Sequence, residues 1–235
     1  MSAAPSPTPV PAAPPPGDAG GRGAEAGSSR FETAAAWHEA LGCVPLERIR
    51  LTPAPGTATA EDALVASERK PLVELVHGTL VEKAMGFWES RIAAVLLRLL
   101  EDHARARDLG IVVGADATMR MPGGNVRIPD VSFIAAARVP TDAAPVPELC
   151  PDLAVEILSK GNTPKEMDQK RRELFAGGTR LMWVIDAATG AATVYADAGG
   201  AGEAVPAGGH LDGGAVLPGF RVALADLFEG TPRRA

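Results

Sequence analysis

Aromatic side chains are scarce in this chain, with 3 Trp, 1 Tyr and 6 Phe among 235 residues. Most of them lie inside apolar runs, so a protein that coats single strands by stacking bases on aromatic platforms is not expected. Cysteine is scarcer still. Cys43 and Cys150 stand far apart with no CxxC, which removes both a disulfide framework and a thiolate zinc site. No run approaches the ~18 apolar residues that a membrane span requires. The N-terminus has no positive region followed by an apolar stretch, so a secretory signal is not indicated and a cytoplasmic protein without membrane contact is expected. Excess basic charge is also missing: the formal net charge is −6, which counts against coating nucleic acid through a broad basic face but not against an enzyme with a local basic cleft. There is no GxSxG, HExxH, Walker or GxGxxG motif, and His38, His77, His103 and His210 are too scattered for a metal cluster.

What is present divides into four stretches. Residues 1–30 are dominated by Pro, Ala, Gly and Ser, cannot bury enough apolar surface to fold alone, and read as a disordered tail. Residues 31–59 read as an N-terminal extension and linker, with a short helix around Trp37 and Leu41 and a Pro/Thr/Ala stretch from Leu51. Residues 60–228 carry the domain, and 229–235 a C-terminal tail. Within the domain, Leu72 to Glu82 reads as two strands about a His77-Gly78 turn. Trp88, Ile92, Val95, Leu96, Leu99, Leu100 and His103 recur at helical spacing and predict one long amphipathic helix. Ile111–Met121 and Val126–Ala135 predict a hairpin about Pro122-Gly123-Gly124, followed by a strand over Leu153–Leu158. A helix opens at Asn162-Thr163-Pro164 and stops at Gly177-Gly178, and strands follow over Leu181–Ile185 and Ala192–Ala196. This order gives an α/β fold, with helices flanking a mixed central sheet.

Two carboxylates interrupt the apolar strands: Asp130 in Val126–Ile134 and Glu156 in Leu153–Leu158. A buried carboxylate is costly unless it is paired, hydrogen-bonded or bound to a metal. Lys170 follows on the next helix. Two acids on successive strands with a nearby lysine is a layout suited to Mg²⁺-dependent phosphodiester cleavage, since carboxylates hold a hard cation while an ammonium orients water or neutralises charge.

Glu74–Gly78, Ile128–Phe133, Pro151–Ser159, Asn162–Lys170, Trp183–Asp186 and Val216–Phe220, in this order and at ordinary spacings, resemble the Uma2 family of restriction-endonuclease-like proteins over about residues 60–228. The resemblance implies a PD-(D/E)xK nuclease core, a mixed sheet flanked by helices, with Mg²⁺ or Mn²⁺ as cofactor and nucleic acid, DNA in the first instance, as substrate. It implies Asp130 and Glu156 as metal ligands. Leu158 stands where the wider superfamily places its lysine, a departure shared by Uma2-like chains, and Lys170, fourteen residues after Glu156, is the migrated replacement. The supporting acid is Glu89, or else Glu74.

Alternatives stay open for several of these residues. Asp130 could accept a backbone bond at a ladder end, and Glu156 could form a buried salt bridge with Lys170 without metal. Lys165, Arg171 or Arg172 could take the lysine's role. Asp152 and Asp186 fit turns. A homodimer is expected because cutting two strands calls for two sites. The alternative to an enzyme is a catalytically silent member that binds nucleic acid or protein; a small-molecule phosphodiesterase would use the same metal chemistry.

Overall fold

The computed structural model describes residues 31–68 and 71–232; the tail over 1–30 and the last three residues of the C-terminal tail lie outside them. In chain order the elements are α1 (Ala34–Ala40), α2 (Ala60–Ser67), β1 (Val73–Val76), β2 (Thr79–Glu82), α3 (Phe87–Arg105), β3 (Gly110–Gly114), β4 (Met119–Arg120) and β5 (Val126–Arg127). They continue with β6 (Val131–Ala135), β7 (Leu153–Leu158), α4 (Pro164–Ala176), β8 (Leu181–Asp186), β9 (Ala192–Tyr195), β10 (Glu203–Val205), β11 (His210–Asp212), β12 (Arg221–Ala223) and α5 (Leu224–Leu227).

The central sheet has six strands in the order β10-β9-β8-β7-β6-β3. Only β7 and β8 run parallel, joined by the crossover helix α4; the other neighbours are antiparallel. A second sheet, β2-β1-β5-β4, stands beside it, and β11 pairs with β12. One face of the central sheet carries Phe133, Leu153, Val155, Ile157 and Trp183, which pack on Ile92, Leu96 and Leu100 of α3. The opposite face carries Ile134, Ala154 and Met182, packed on Leu174 of α4. Side chains alternate along a strand, so even-numbered residues of β6 and β7 face α4.

The hairpin expected over Ile111–Ala135 is divided between the two sheets. The halves far from the turn, β3 and β6, pair within the central sheet, while β4 and β5 beside the turn pair with each other and β5 joins β1. The two arms change sheets where the ladder fails: Pro129 has no N–H to give, and on the other arm Ala117 N turns back to Gly114 O. This division sets Arg127 and Asp130, three residues apart, into different sheets at their junction.

The β1–β2 turn follows its chemistry. Val76 pairs with Thr79, and both His77 and Gly78 have positive φ, the two-residue turn that fits the twist of a hairpin. Helix α4 begins with a full capping box: Thr163 Oγ1 accepts from Glu166 N, Glu166 answers to Thr163 N, and Pro164 takes the first helical position. Residues 41–49 pack closely on the domain. Leu41, Val44 and Ile49 form a cluster with Val76 and Val81, and Ile49 bridges to Val81 of β2.

Candidate active site

Asp130 directly precedes β6, whose Val131 pairs with Val155 of β7. Continuing that register places Asp130 opposite Glu156, and both side chains leave the sheet on the α4 side. Asp130 N donates to Val155 O, and its Oδ2 accepts from Ile157 N at 2.6 Å. The carboxylate therefore extends the ladder past the point where the strand ends. Its Oδ1 accepts no hydrogen bond of good geometry among the described residues, although the Lys83 ammonium approaches to 2.8 Å. Lys83 also donates to Ile128 O.

Lys170, on the second turn of α4, points back to the sheet. Its ammonium lies 3.1 and 3.2 Å from the two oxygens of Glu156 and 3.0 Å from Glu74 Oε1. Glu74, from β1, also accepts from Arg127 and from Ile128 N. Arg127 in turn holds Glu173 of α4 through Nε at 2.7 Å and Nη2 at 3.0 Å. Arg48, from the segment before the domain, grips Glu166 with both terminal nitrogens, at 3.0 and 2.7 Å, and donates to Glu82 O and Gly161 O. Five carboxylates (Glu74, Asp130, Glu156, Glu166, Glu173) thus meet four cations (Arg48, Lys83, Arg127, Lys170), and all but the half-buried Glu173 are buried.

Two acids that share one ammonium are driven apart. Burial alone would raise Glu74, but Lys170, Arg127 and Lys83 outweigh it and hold its carboxyl down at about 2. Burial pushes Glu156 up to about 7; Lys170 opposes the rise, while Asp130 and Glu74 add to it by repulsion. Burial would likewise lower Lys170, but Glu156, Glu74 and Glu166 surround it and raise it above the ordinary lysine value, so it stays an ammonium. Such divergent neighbours mark a site where a proton or a cation changes the balance.

Two clefts open at this end of the sheet. One, of about 730 Å³, is lined among others by Glu89, Lys160, Met167, Arg171, Asp186 and Tyr195. The other, of about 560 Å³, is lined by Arg48, Lys83, Phe87, Trp88, Glu89 and Lys160 with their neighbours. Glu89 and Lys160 belong to both. Asp130 and Glu156 line neither; Lys83 is the member of the charged cluster that reaches from Asp130 to the cleft wall. Glu89 is buried in the first turn of α3, and its carboxylate folds back so closely over Gly86 that a Cβ there would collide with it.

The other residues singled out in the sequence are placed apart from the cluster. Lys165 pairs with Glu39 and Arg172 with Asp168 at the surface. Arg171 donates to Gly200 O and lies over the Tyr195 ring, 4.8 Å from its centroid, on the wall of the larger cleft. Asp152 is buried, accepting from Ala135 N and pairing with Arg138 and Arg180. Asp186 receives the turn bonds of Ala188 and Thr189. Sequence reasoning missed Lys83, Arg127 and Arg48. The first two carried the signal used for Asp130, a lone charge in or beside an apolar strand; Arg48 carried none.

A search of the curated proteins gives no match. Among solved structures, the chain is similar to a putative nuclease belonging to DUF820 from Anabaena variabilis, with a TM-score of 0.65 at 19% identity, over 73% of this chain and 97% of that one. The likeness is one of fold: a mixed sheet between helices, as the resemblance implied. The model of the Uma2 family, described as "Putative restriction endonuclease", matches residues 60–225. With most of its length matched, the chain belongs to the Uma2 family of nuclease-type, restriction-endonuclease-like proteins.

Proposed function

We propose that this protein hydrolyses phosphodiester bonds in nucleic acid, DNA in the first instance, with a divalent cation, Mg²⁺ or Mn²⁺. The observation that carries the reading is the juxtaposition of Asp130 and Glu156 on one face of adjacent strands, with Asp130 Oδ1 accepting no hydrogen bond. Among the described residues no three His, Cys, Asp or Glu side chains gather into a metal cage. Two carboxylates are a donor set that fits Mg²⁺, which binds through one or two carboxylates, keeps several waters and rarely takes an all-protein cage; its entry from the cleft requires Lys83 to draw back from Asp130 Oδ1. When bound, such a cation supplies Lewis acidity at the phosphoryl group.

The chain's own groups divide the remaining work. Asp130 and Glu156 hold the cation, and Asp130 is fixed by Ile157 N. The sequence suggested that Lys170 polarises the attacking water or stabilises the charge developing on phosphate. Enclosed as it is, we assign it to holding Glu156 ionised and in place. Lys83, which reaches the cleft, is set to neutralise charge developing on the phosphate. Glu89, on the wall of both clefts, is the supporting acid, and Glu74 anchors Lys170. Cutting a duplex calls for two such sites, which a two-fold homodimer provides.

A second reading has its own observation. Each central carboxylate already faces an ammonium, Asp130 with Lys83 and Glu156 with Lys170, an arrangement that a silent, binding-only family member would also retain. Plasmid and oligonucleotide cleavage with Mg²⁺, Mn²⁺ or EDTA separates the two. Cation-dependent cutting that Asp130→Asn and Glu156→Gln both abolish is the expected result. Nucleic-acid binding with no cutting under any cation favours the second reading.

A further inference from the structure

We propose that Phe87 and Trp88 form a base-stacking lip that receives an unpaired nucleobase and so selects single-stranded or frayed nucleic acid; the proposal rests on the nuclease reading above. In a chain so poor in aromatics, Phe87 is the most exposed large apolar side chain among the described residues, at 78%, and Met85, 41% exposed, lines the same cleft. Exposed apolar side chains scattered singly need no explanation, but an exposed group lining a cleft with charged side chains does. Phe87 and Trp88 are the first two residues of α3, immediately before Glu89, and both line the smaller cleft together with Lys83 and Lys160. Their rings meet edge to face, with centroids 4.9 Å apart and planes at 87°. Each ring braces the other, and Phe87 stands out to solvent.

The occupant follows from what surrounds the lip. Besides the rings, the cleft is lined by three cations, Arg48, Lys83 and Lys160, and two carboxylates, Glu47 and Glu89, a wall unsuited to an apolar protein side chain and complementary to a phosphodiester with a bound cation. A ring face next to cationic groups matches a nucleotide whose base is unstacked, because every base offers a π-face whatever its sequence. Duplex DNA has its base faces covered by neighbours. It would have to be held through its phosphates alone, with no base face for the rings to meet. Stacking supplies the missing attraction only where a strand is open.

The test uses the full chain in EDTA, so that binding is read without turnover. Fluorescence anisotropy of a labelled single-stranded oligonucleotide and of the matching blunt duplex is compared for wild type, Phe87→Ala and Phe87→Trp. Wild type is expected to prefer the single strand. Phe87→Ala is expected to weaken single-strand binding roughly 5- to 150-fold, the range for loss of one stacked base, with the duplex changed less than about twofold and Phe87→Trp close to wild type. Equal single-strand affinity for wild type and Phe87→Ala overturns the proposal, as does absence of oligonucleotide binding by wild type. It is equally overturned if sedimentation shows a wild-type dimer that Phe87→Ala dissociates while binding is unchanged, for the patch is then a contact between copies. A wild type that cuts DNA with Mg²⁺ but shows no Phe87 effect refutes the lip and leaves the nuclease reading standing. Phe87-dependent binding without cutting does the reverse.

Discussion

Replacing Lys170 by Met is the sharpest probe of the charged cluster. The change keeps the volume of the buried stem and deletes the ammonium that touches both oxygens of Glu156 and one of Glu74. Two carboxylates are left facing each other with Lys170's charge gone. Removing one partner of a buried ion pair costs about 3–5 kcal/mol, and here the orphaned group is Glu156, since Glu74 keeps Arg127 and Ile128 N. The pH dependence adds a signature. Glu156 is already raised to about 7 in the intact protein, and without Lys170 it rises further. A carboxyl raised by folding binds its proton more tightly in the native state, so its stabilising contribution is present below the unfolded value of about 4.5 and fades as pH rises through the folded value. The destabilisation by Lys170→Met should therefore be larger at pH 8 than at pH 5. Urea unfolding with a constant m value measures it, and the double variant Lys170→Met/Glu156→Gln should recover most of the loss at pH 8. A loss under about 1 kcal/mol, or one equal at both pH values, would refute the claim that this ammonium neutralises Glu156.

The cation should act on the same balance from outside: Mg²⁺ is expected to raise the melting temperature at pH 8 and lower the Glu156 titration, responses that Asp130→Asn should abolish in a thermal-shift titration. On the acid side, Glu166 is depressed by Arg48 and Lys170 against its burial, and Glu173 by Arg127 likewise. Their contribution is full above about pH 4.5 and lost as pH falls below it, so the metal-free protein should be most stable near about pH 5, read by denaturation at stepped pH. Arg48→Ala, which removes the two-nitrogen grip on Glu166 and two backbone contacts, should cost about 3–5 kcal/mol; Arg48→Lys should recover only part, lacking the planar fork. A chain started at residue 60 should fare worse still in circular-dichroism melts, because Leu41, Val44 and Ile49 leave the core with Arg48.

Local signals carried most of the element plan. The two-residue turn at His77-Gly78, the helical recurrence from Trp88 to His103, and the Thr163-Pro164 opening with its glycine stop all act within a few residues, and each stands where its chemistry placed it. Asp130, Glu156 and Lys170 stood out because charge inside an apolar pattern is costly and needs a reason. What the sequence concealed was pairing across distance. Nothing near Arg127 announces Glu74 or Glu173, respectively 53 and 46 residues away, and nothing near Arg48 announces Glu166, 118 residues on. The division of the Ile111–Ala135 hairpin between two sheets was hidden for the same reason. Pro129 shows that the ladder must break but not which strand will receive the free end. The late strands β10 to β12 are three residues each, too short for any periodicity to register.

The energetic character of the cluster ties these readings together. A buried network of alternating charges is no cheap source of stability: well-packed apolar residues of similar volume commonly serve as well or better. Here the account does not even balance. Five acids face four bases, and Glu156 bears the consequence: burial first, and repulsion from Asp130 and Glu74 after it, keep it from ionising readily although an ammonium stands 3.1 Å away. A cluster evolved only to brace the sheet junction would gain by losing one carboxylate. One that receives a divalent cation beside Asp130 and Glu156 has the surplus relieved when the cation arrives, and its metal-free strain becomes binding affinity. If Glu156→Gln stabilises the metal-free protein at pH 8 and removes its response to Mg²⁺, that trade is real. If Glu156→Gln destabilises the protein and the Mg²⁺ response survives, the fifth acid belongs to the scaffold and the cation sits elsewhere.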